Sequence, residues 1–121
     1  MKRVYISSPL SGNINKNIIK AVRFGEFIFK ECGAVPIVPH FYALMLNDIN
    51  EKDHEIGILA DLSLIWMIDE LWVFGEEVTE GMKTEITRAE LLKIPIRYFS
   101  DNDVNKILMK YGGNLFERKY Y

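Results

Sequence analysis

The chain has 121 residues, 49% hydrophobic and 26% charged, the composition of one folded domain with one core rather than of a disordered segment. A formal net charge of -2 argues against a surface built to track a nucleic-acid polymer, although local dipoles can still hold one phosphate. The single cysteine, Cys32, excludes an internal disulfide and any cysteine-rich zinc or iron–sulfur pattern, and fits a reducing, cytoplasmic setting.

The N-terminal Met1, Lys2 and Arg3 lead straight into a β-like run with no apolar leader segment. A first strand over residues 2–7 breaks at Ser8-Pro9-Leu10-Ser11-Gly12, a cluster of turn formers. Asn13 or Asn15 then caps a helix running to about residue 32. Its apolar stripe is Ile18, Val22, Phe24, Gly25, Ile28 and Phe29, and Gly33 stands where a C′ glycine belongs. Residues 34–38 read as a second strand ended by Pro39, and residues 40–46 as a helical turn or a lid. A second helix spans about residues 52–67. The longest apolar run, residues 56–68, overlaps it; it contains Asp61 and is too short to cross a bilayer, so no membrane partner is expected. Residues 69–75 give a buried third strand and its terminating glycine. Thr79 caps a third helix to about residue 93, and residues 94–99 form a fourth strand. Pro95 belongs at the very start of that strand, because a central strand cannot lose a ladder donor cheaply. Asp101 or Asp103 caps a last helix ending near Gly112 and Gly113, so residues 100–121 are the C-terminal helix and tail of a single domain spanning 1–121.

Strands alternating with helices predict an α/β fold: a flavodoxin- or Rossmann-like three-layer sandwich around a parallel sheet of about four strands in the order 2-1-3-4. In such a sheet the chain reverses direction between strands 1 and 3, and ligands bind in the crevice at the carboxyl ends of the strands. A small-molecule site is thereby expected between the loop at residues 7–13 and the segment after Phe74.

Several residues sit oddly in this pattern. Asp61 is the one charge in an otherwise apolar helical run, with Ile58, Leu64 and Ile65 as neighbours. A helix apolar nearly all round is normally buried, and a buried carboxylate needs a partner or a task; otherwise Asp61 faces solvent or a subunit contact. Glu85 stands at the border of the stripe formed by Met82, Ile86 and Ala89, with Gly81 leaving room one turn earlier; the plain alternative is a surface glutamate like Glu80 and Glu90. Ser7, Ser8, Ser11 and Gly12 form a hydroxyl-rich turn ahead of a helix N-terminus, suited to an anion. The turn lacks a Walker lysine pattern and a G-x-G-x-x-G, so neither a triphosphatase nor a dinucleotide fold is supported and no cofactor or metal is implied. His40 follows Pro39 at a strand end and lines the pocket or makes one local bond. Tyr5 on the first strand is core, with its hydroxyl within reach of the crevice.

Val4-Tyr5-Ile6-Ser7-Ser8-Pro9-Leu10-Ser11-Gly12, then Asp61 followed by Asp69-Glu70-Leu71-Trp72-Val73, then Gly81-Met82-Lys83-Thr84-Glu85 with Ala89 and Ile94-Pro95-Ile96, resemble in order and spacing the motifs of the nucleoside 2-deoxyribosyltransferase-like superfamily. The resemblance covers about residues 2–99 and is nearest to a small bacterial and phage branch, similar to nucleoside 5′-monophosphate N-glycosidases. It implies cleavage or transfer at an N-glycosidic bond through an oxocarbenium-like transition state and a covalent glycosyl-enzyme. Glu85 matches the nucleophile, Tyr5 the tyrosine that orients it, and Asp61 the aspartate near the base. Ser7, Ser8, Pro9, Ser11, Gly12, His40, Thr79, Gly81 and Met82 fall at substrate-binding positions. A hydroxyl at Thr79, where nucleoside-specific relatives carry an acid, together with the serine turn, leans toward a 5′-monophosphate, with Arg88 and Arg97 as candidate counter-charges. The resemblance also implies a homodimer or higher homo-oligomer, to which Trp66, Trp72, Phe41 and Tyr42 would contribute. The C-terminal segment that a neighbouring subunit usually donates has no recognisable match; Ser100 or the tail 111–121 with Asn114 stands in its place. Two readings compete with the enzyme: a non-catalytic nucleotide-binding or sensing module, and an interaction scaffold with a vestigial crevice.

Overall fold

The computed structural model describes residues 1–47 and 49–112. The chain runs β1 (Arg3–Ser7), α1 (Ile14–Glu31), β2 (Val35–Ile37), a 3-10 turn (Pro39–Leu44), α2 (Glu51–Ile65), β3 (Glu70–Phe74), α3 (Glu80–Leu91), β4 (Ile96–Phe99) and α4 (Asp101–Tyr111). All strand pairs are parallel and the order is β2-β1-β3-β4, as the alternation of elements predicts. Pro95 lies just before β4 and joins the ladder only through its carbonyl, which accepts from Leu71 N–H at 3.0 Å.

Side chains on successive strand residues point to opposite faces, and the sheet divides accordingly. Val4, Ile6, Trp72, Phe74 and Phe99 pack against α1 and α4. Tyr5, Leu71 and Val73 face the other way and pack against α2 and α3, with Ile65, Met82, Ile86 and Ala89. The result is an α/β/α sandwich with a core on each face of the sheet. Among the described residues no helix is long and apolar enough to cross a membrane.

Of the two caps offered for α1 the chain uses Asn13, whose side chain accepts from Lys16 N–H, and Gly33 beyond the helix end takes a positive φ of 61°, as expected; several other expectations are corrected. The buried stripe of α1 is Ile18, Ala21, Phe24, Gly25 and Ile28; Phe29 lies a further 100° round the helix and is 54% exposed. Arg23 is also buried in α1, in an ion pair with Glu26 one turn on that sequence reading did not identify. Helix α4 is capped by Ser100, not by Asp101 or Asp103. Ser100 Oγ accepts from Asp103 N–H and Asp103 accepts from Ser100 N–H, a reciprocal capping box, while Asp101 accepts from Glu76 N–H at 2.9 Å. Helix α2 is not buried all round: only Ile65 is fully buried, and Leu59 and Trp66 are 66% and 70% exposed. Trp72 is buried among aromatic rings and is not available to a subunit interface. Gly113, Asn114 and the rest of the tail lie outside the described residues.

Candidate active site

The β1–α1 turn opens the site. Gly12 holds a φ of 99°, a conformation that a side chain would strain, and so lets the chain swing from the strand into α1. Asn17 Nδ2 reaches back to the carbonyl oxygens of Leu10 at 2.9 Å and Ser11 at 3.4 Å, tying the turn to the helix that follows it.

Tyr5 and Ser7 are two residues apart on β1 and therefore share a face. On α3, Glu85 is one turn beyond Met82 and belongs to the buried stripe. The two elements meet at one carboxylate: the Tyr5 hydroxyl donates to Glu85 Oε2 in a short bond, and the Ser7 hydroxyl donates to Oε1 at 3.0 Å. Glu85 is only 9% exposed. Burial, opposed by these two bonds and reinforced by the negative field of Asp61, pushes its pKa up to about 7. Burial first, then the Glu85 charge, drives the Tyr5 phenol well above its ordinary value, so Tyr5 keeps its proton and acts as donor. Asp61, partly buried on α2, is pushed up to about 7 by loss of hydration.

These groups border a cleft of about 390 Å³, within the range of small-molecule sites. Its walls come from the β1–α1 turn (Ser8, Leu10, Ser11), the segment after β2 (Pro39, His40, Tyr42, Leu46), α2 (Asp53, His54, Gly57, Ile58, Asp61) and the start of α3 (Thr79 to Met82, Thr84, Glu85). His40 is buried, and its Nε2 lies 3.0 Å from both the carbonyl oxygen and the hydroxyl of Ser8. A carbonyl only accepts, so Nε2 carries the proton and Nδ1 is left as a buried acceptor without a partner. Burial holds the His40 pKa below its usual value, so the ring is neutral near pH 7. Thr79 Oγ1 caps α3 by accepting from Met82 N–H at 3.3 Å.

Of the residues named from sequence, Ser8, Ser11, His40, Asp61, Thr79, Gly81, Met82 and Glu85 stand on the cleft wall, and Tyr5 and Ser7 lie behind Glu85. Pro9 and Gly12 are not on the wall; they belong to the turn itself. Arg97 does not reach the cleft. It stacks over Trp72 and Phe99, at 4.9 Å and 4.5 Å from their ring centres. Arg88 lines a separate groove with Lys83 and Thr87, and Ser100 is occupied as the α4 cap. Sequence reading missed Leu10, Tyr42, Leu46, Asp53, His54 and Gly57. One signal was present: a glycine inside a helix weakens it, and a Cβ on Gly57 would sit 3.5 Å from Leu46 in this wall. No cluster of three or more histidine, cysteine or acidic side chains fit to hold a metal ion occurs among the described residues.

Comparison with known proteins adds family and fold. The family profile described as "Domain of unknown function (DUF7768)" matches residues 2–99. A search of curated protein sequences finds no match. Among solved structures the chain is similar to a 2-deoxyribosyltransferase from the psychrotolerant bacterium Bacillus psychrosaccharolyticus. The TM-score is 0.62 at 18% sequence identity, covering 81% of this chain and 72% of that one. At that identity the likeness is one of fold.

Proposed function

The chain belongs to the DUF7768 family and folds like a 2-deoxyribosyltransferase; from that premise we propose that it cleaves or transfers at the N-glycosidic bond of a nucleoside or nucleoside 5′-monophosphate. The observation that carries the reading is Glu85: a buried carboxylate on a cleft wall, held from behind by two hydroxyl donors and with Asp61 lining the same cleft. Retention of the likeness to the nucleoside superfamily at Tyr5, Asp61 and Glu85 supports it further.

In the first step a Glu85 carboxylate oxygen bonds to C1′ and the C1′–N bond breaks. Its electron pair goes to the base nitrogen, which takes a proton from Asp61. Asp61 can carry that proton because its pKa stands near 7. In the second step water or a second base attacks C1′, the Glu85–C1′ bond breaks, and Asp61 recovers the proton. Water gives an N-glycosidase and a base gives a transferase. The low-dielectric surroundings of Glu85 strengthen its attraction to positive charge developing at C1′. Tyr5 and Ser7 fix both carboxylate oxygens, so the nucleophile needs little reorganisation.

The test is release of free base from a panel of nucleosides and their 5′-monophosphates, with and without an added acceptor base, beside a Glu85→Ala control. Release by the parent and not by the variant is the expected result. Binding that survives Glu85→Gln, with no turnover of any compound, would replace the enzyme by a nucleotide-binding module.

A further inference from the structure

We infer that the cleft selects an uncharged nucleoside and discriminates against its 5′-monophosphate, an inference that rests on the function proposed above and narrows it. Among the described residues that line the cleft there are four acidic side chains, Asp53 and Glu80 beside the partly protonated Asp61 and Glu85, and no lysine or arginine. Lys83 pairs with Glu80 at 3.1 Å and lines the neighbouring groove rather than this cleft. Arg97, one of the counter-charges expected from sequence, is spent on the aromatic rings of the opposite face of the sheet.

The hydroxyls expected to cradle a phosphate are also engaged. The Ser7 proton goes to Glu85, the Ser8 oxygens face His40, and Thr79 Oγ1 caps α3. Ser8, Ser11 and Thr79 retain O–H groups that can donate, but neutral donors alone would have to offset a dianion in the field of the carboxylates.

The test measures binding of a nucleoside and its 5′-monophosphate by calorimetry, with free-base release followed in the same samples. The nucleoside should bind about tenfold or more tightly at low ionic strength, and the gap should narrow as salt screens the carboxylates. A double variant, Asp53→Asn with Glu80→Gln, should narrow the ratio of the two affinities at low salt. Asparagine at position 53 keeps an acceptor for Asn47 N–H, so that hydrogen bond survives. Equal or tighter binding of the monophosphate, or a gap that neither salt nor the double variant moves, would overturn the inference. Base release from the monophosphate alone defeats this inference and leaves the glycosidic reading standing. If neither compound binds or is cleaved, the glycosidic reading itself fails and takes this one with it.

Discussion

On the α1/α4 side of the sheet, Phe24, Phe74 and Phe99 form a continuous stack with ring centres 4.3 Å and 4.6 Å apart and planes within 7° of parallel, flanked by Trp72 and by Phe27 edge-on to Phe99. On the α2/α3 side the same strands present Tyr5 and Ser7 to a buried carboxylate, and the helix above them leaves Ile56, Leu59 and Trp66 exposed. One face maximises apolar contact; the other gives part of it up to keep polar groups beside a cleft. The two faces share β1 and β3, whose alternate residues serve opposite purposes: Val4 and Ile6 the packed core, Tyr5 and Ser7 the site. Stability should therefore be lost most easily from one side and gained most easily on the other, where a buried ionisable group opposes folding.

The largest effect should come from the packed face. Phe74→Ala removes the middle ring of the stack and leaves a cavity that its neighbours cannot fill, at a cost of about 3–5 kcal/mol. Chemical denaturation should show a lower midpoint with an unchanged slope. A loss under about 1 kcal/mol would mean that the aromatic stack is not where the stability resides.

Glu85→Gln should have the opposite sign. Burial raises the folded pKa from 4.5 to about 7, so between those values the folded chain holds a proton that the unfolded chain releases. That contribution is fully present below the unfolded pKa and is lost as pH rises through the folded one. The parent should thus lose up to about 3 kcal/mol across this window, and the neutral variant should not. At about pH 8 the variant should melt higher than the parent, and at about pH 4 the two should converge. A variant less stable than the parent at alkaline pH would show that the Tyr5 and Ser7 bonds outweigh desolvation.

This division of labour was only partly legible in the sequence. The strand order followed from short β-rich runs alternating with helical stripes, because period and punctuation are local properties. Glu85 and Tyr5 stand out through the resemblance of their motifs to a known superfamily, since position alone leaves Glu85 at the border of a stripe and Tyr5 in the core. What escaped depended on contacts across the fold. Nothing local says that Asn17 holds the β1–α1 turn, that Ser8 is matched with His40, or that Arg97 prefers the rings of Trp72 and Phe99 to the cleft. The cleft residues Tyr42 and Leu46 come from a stretch with no hydrophobic period, and α2 misled because an all-round apolar sequence reads as buried whether or not another surface covers it. The choice among Ser100, Asp101 and Asp103 as cap was a matter of one residue of phase, which composition cannot decide.

A finer test asks how the site face holds its carboxylate. Tyr5→Phe removes one donor from Glu85 while preserving the ring packing. Donation to the charged form lowers a carboxylate pKa, so its loss should raise that of Glu85 above the parent's value by about one unit, followed by carbon-labelled NMR of the side chain. The alkaline arm of the stability curve should shift upward in pH by the same amount. An unchanged pKa would leave Ser7 as the sole effective partner.

The smallest effects sharpen the contrast most, because the two faces carry matched helix caps. Ser100 caps α4 on the packed side and Thr79 caps α3 on the site side, each by accepting a backbone N–H three residues on. Replacing either with alanine leaves one donor without its partner and should cost about 1 kcal/mol, measured by the same denaturation curves. Their consequences should differ. Ser100→Ala frays a helix whose buried residue, Ile107, faces the aromatic core, and should leave the Glu85 titration where it was. Thr79→Ala loosens the turn that carries Gly81, Met82 and Glu85, admits water beside the carboxylate, and should lower the Glu85 pKa toward the ordinary value of 4.5. Equal stability loss with a pKa change in only one variant is the expected pair. A pKa that moves in both would mean that the faces are coupled through the sheet, and the division drawn here would then describe packing alone.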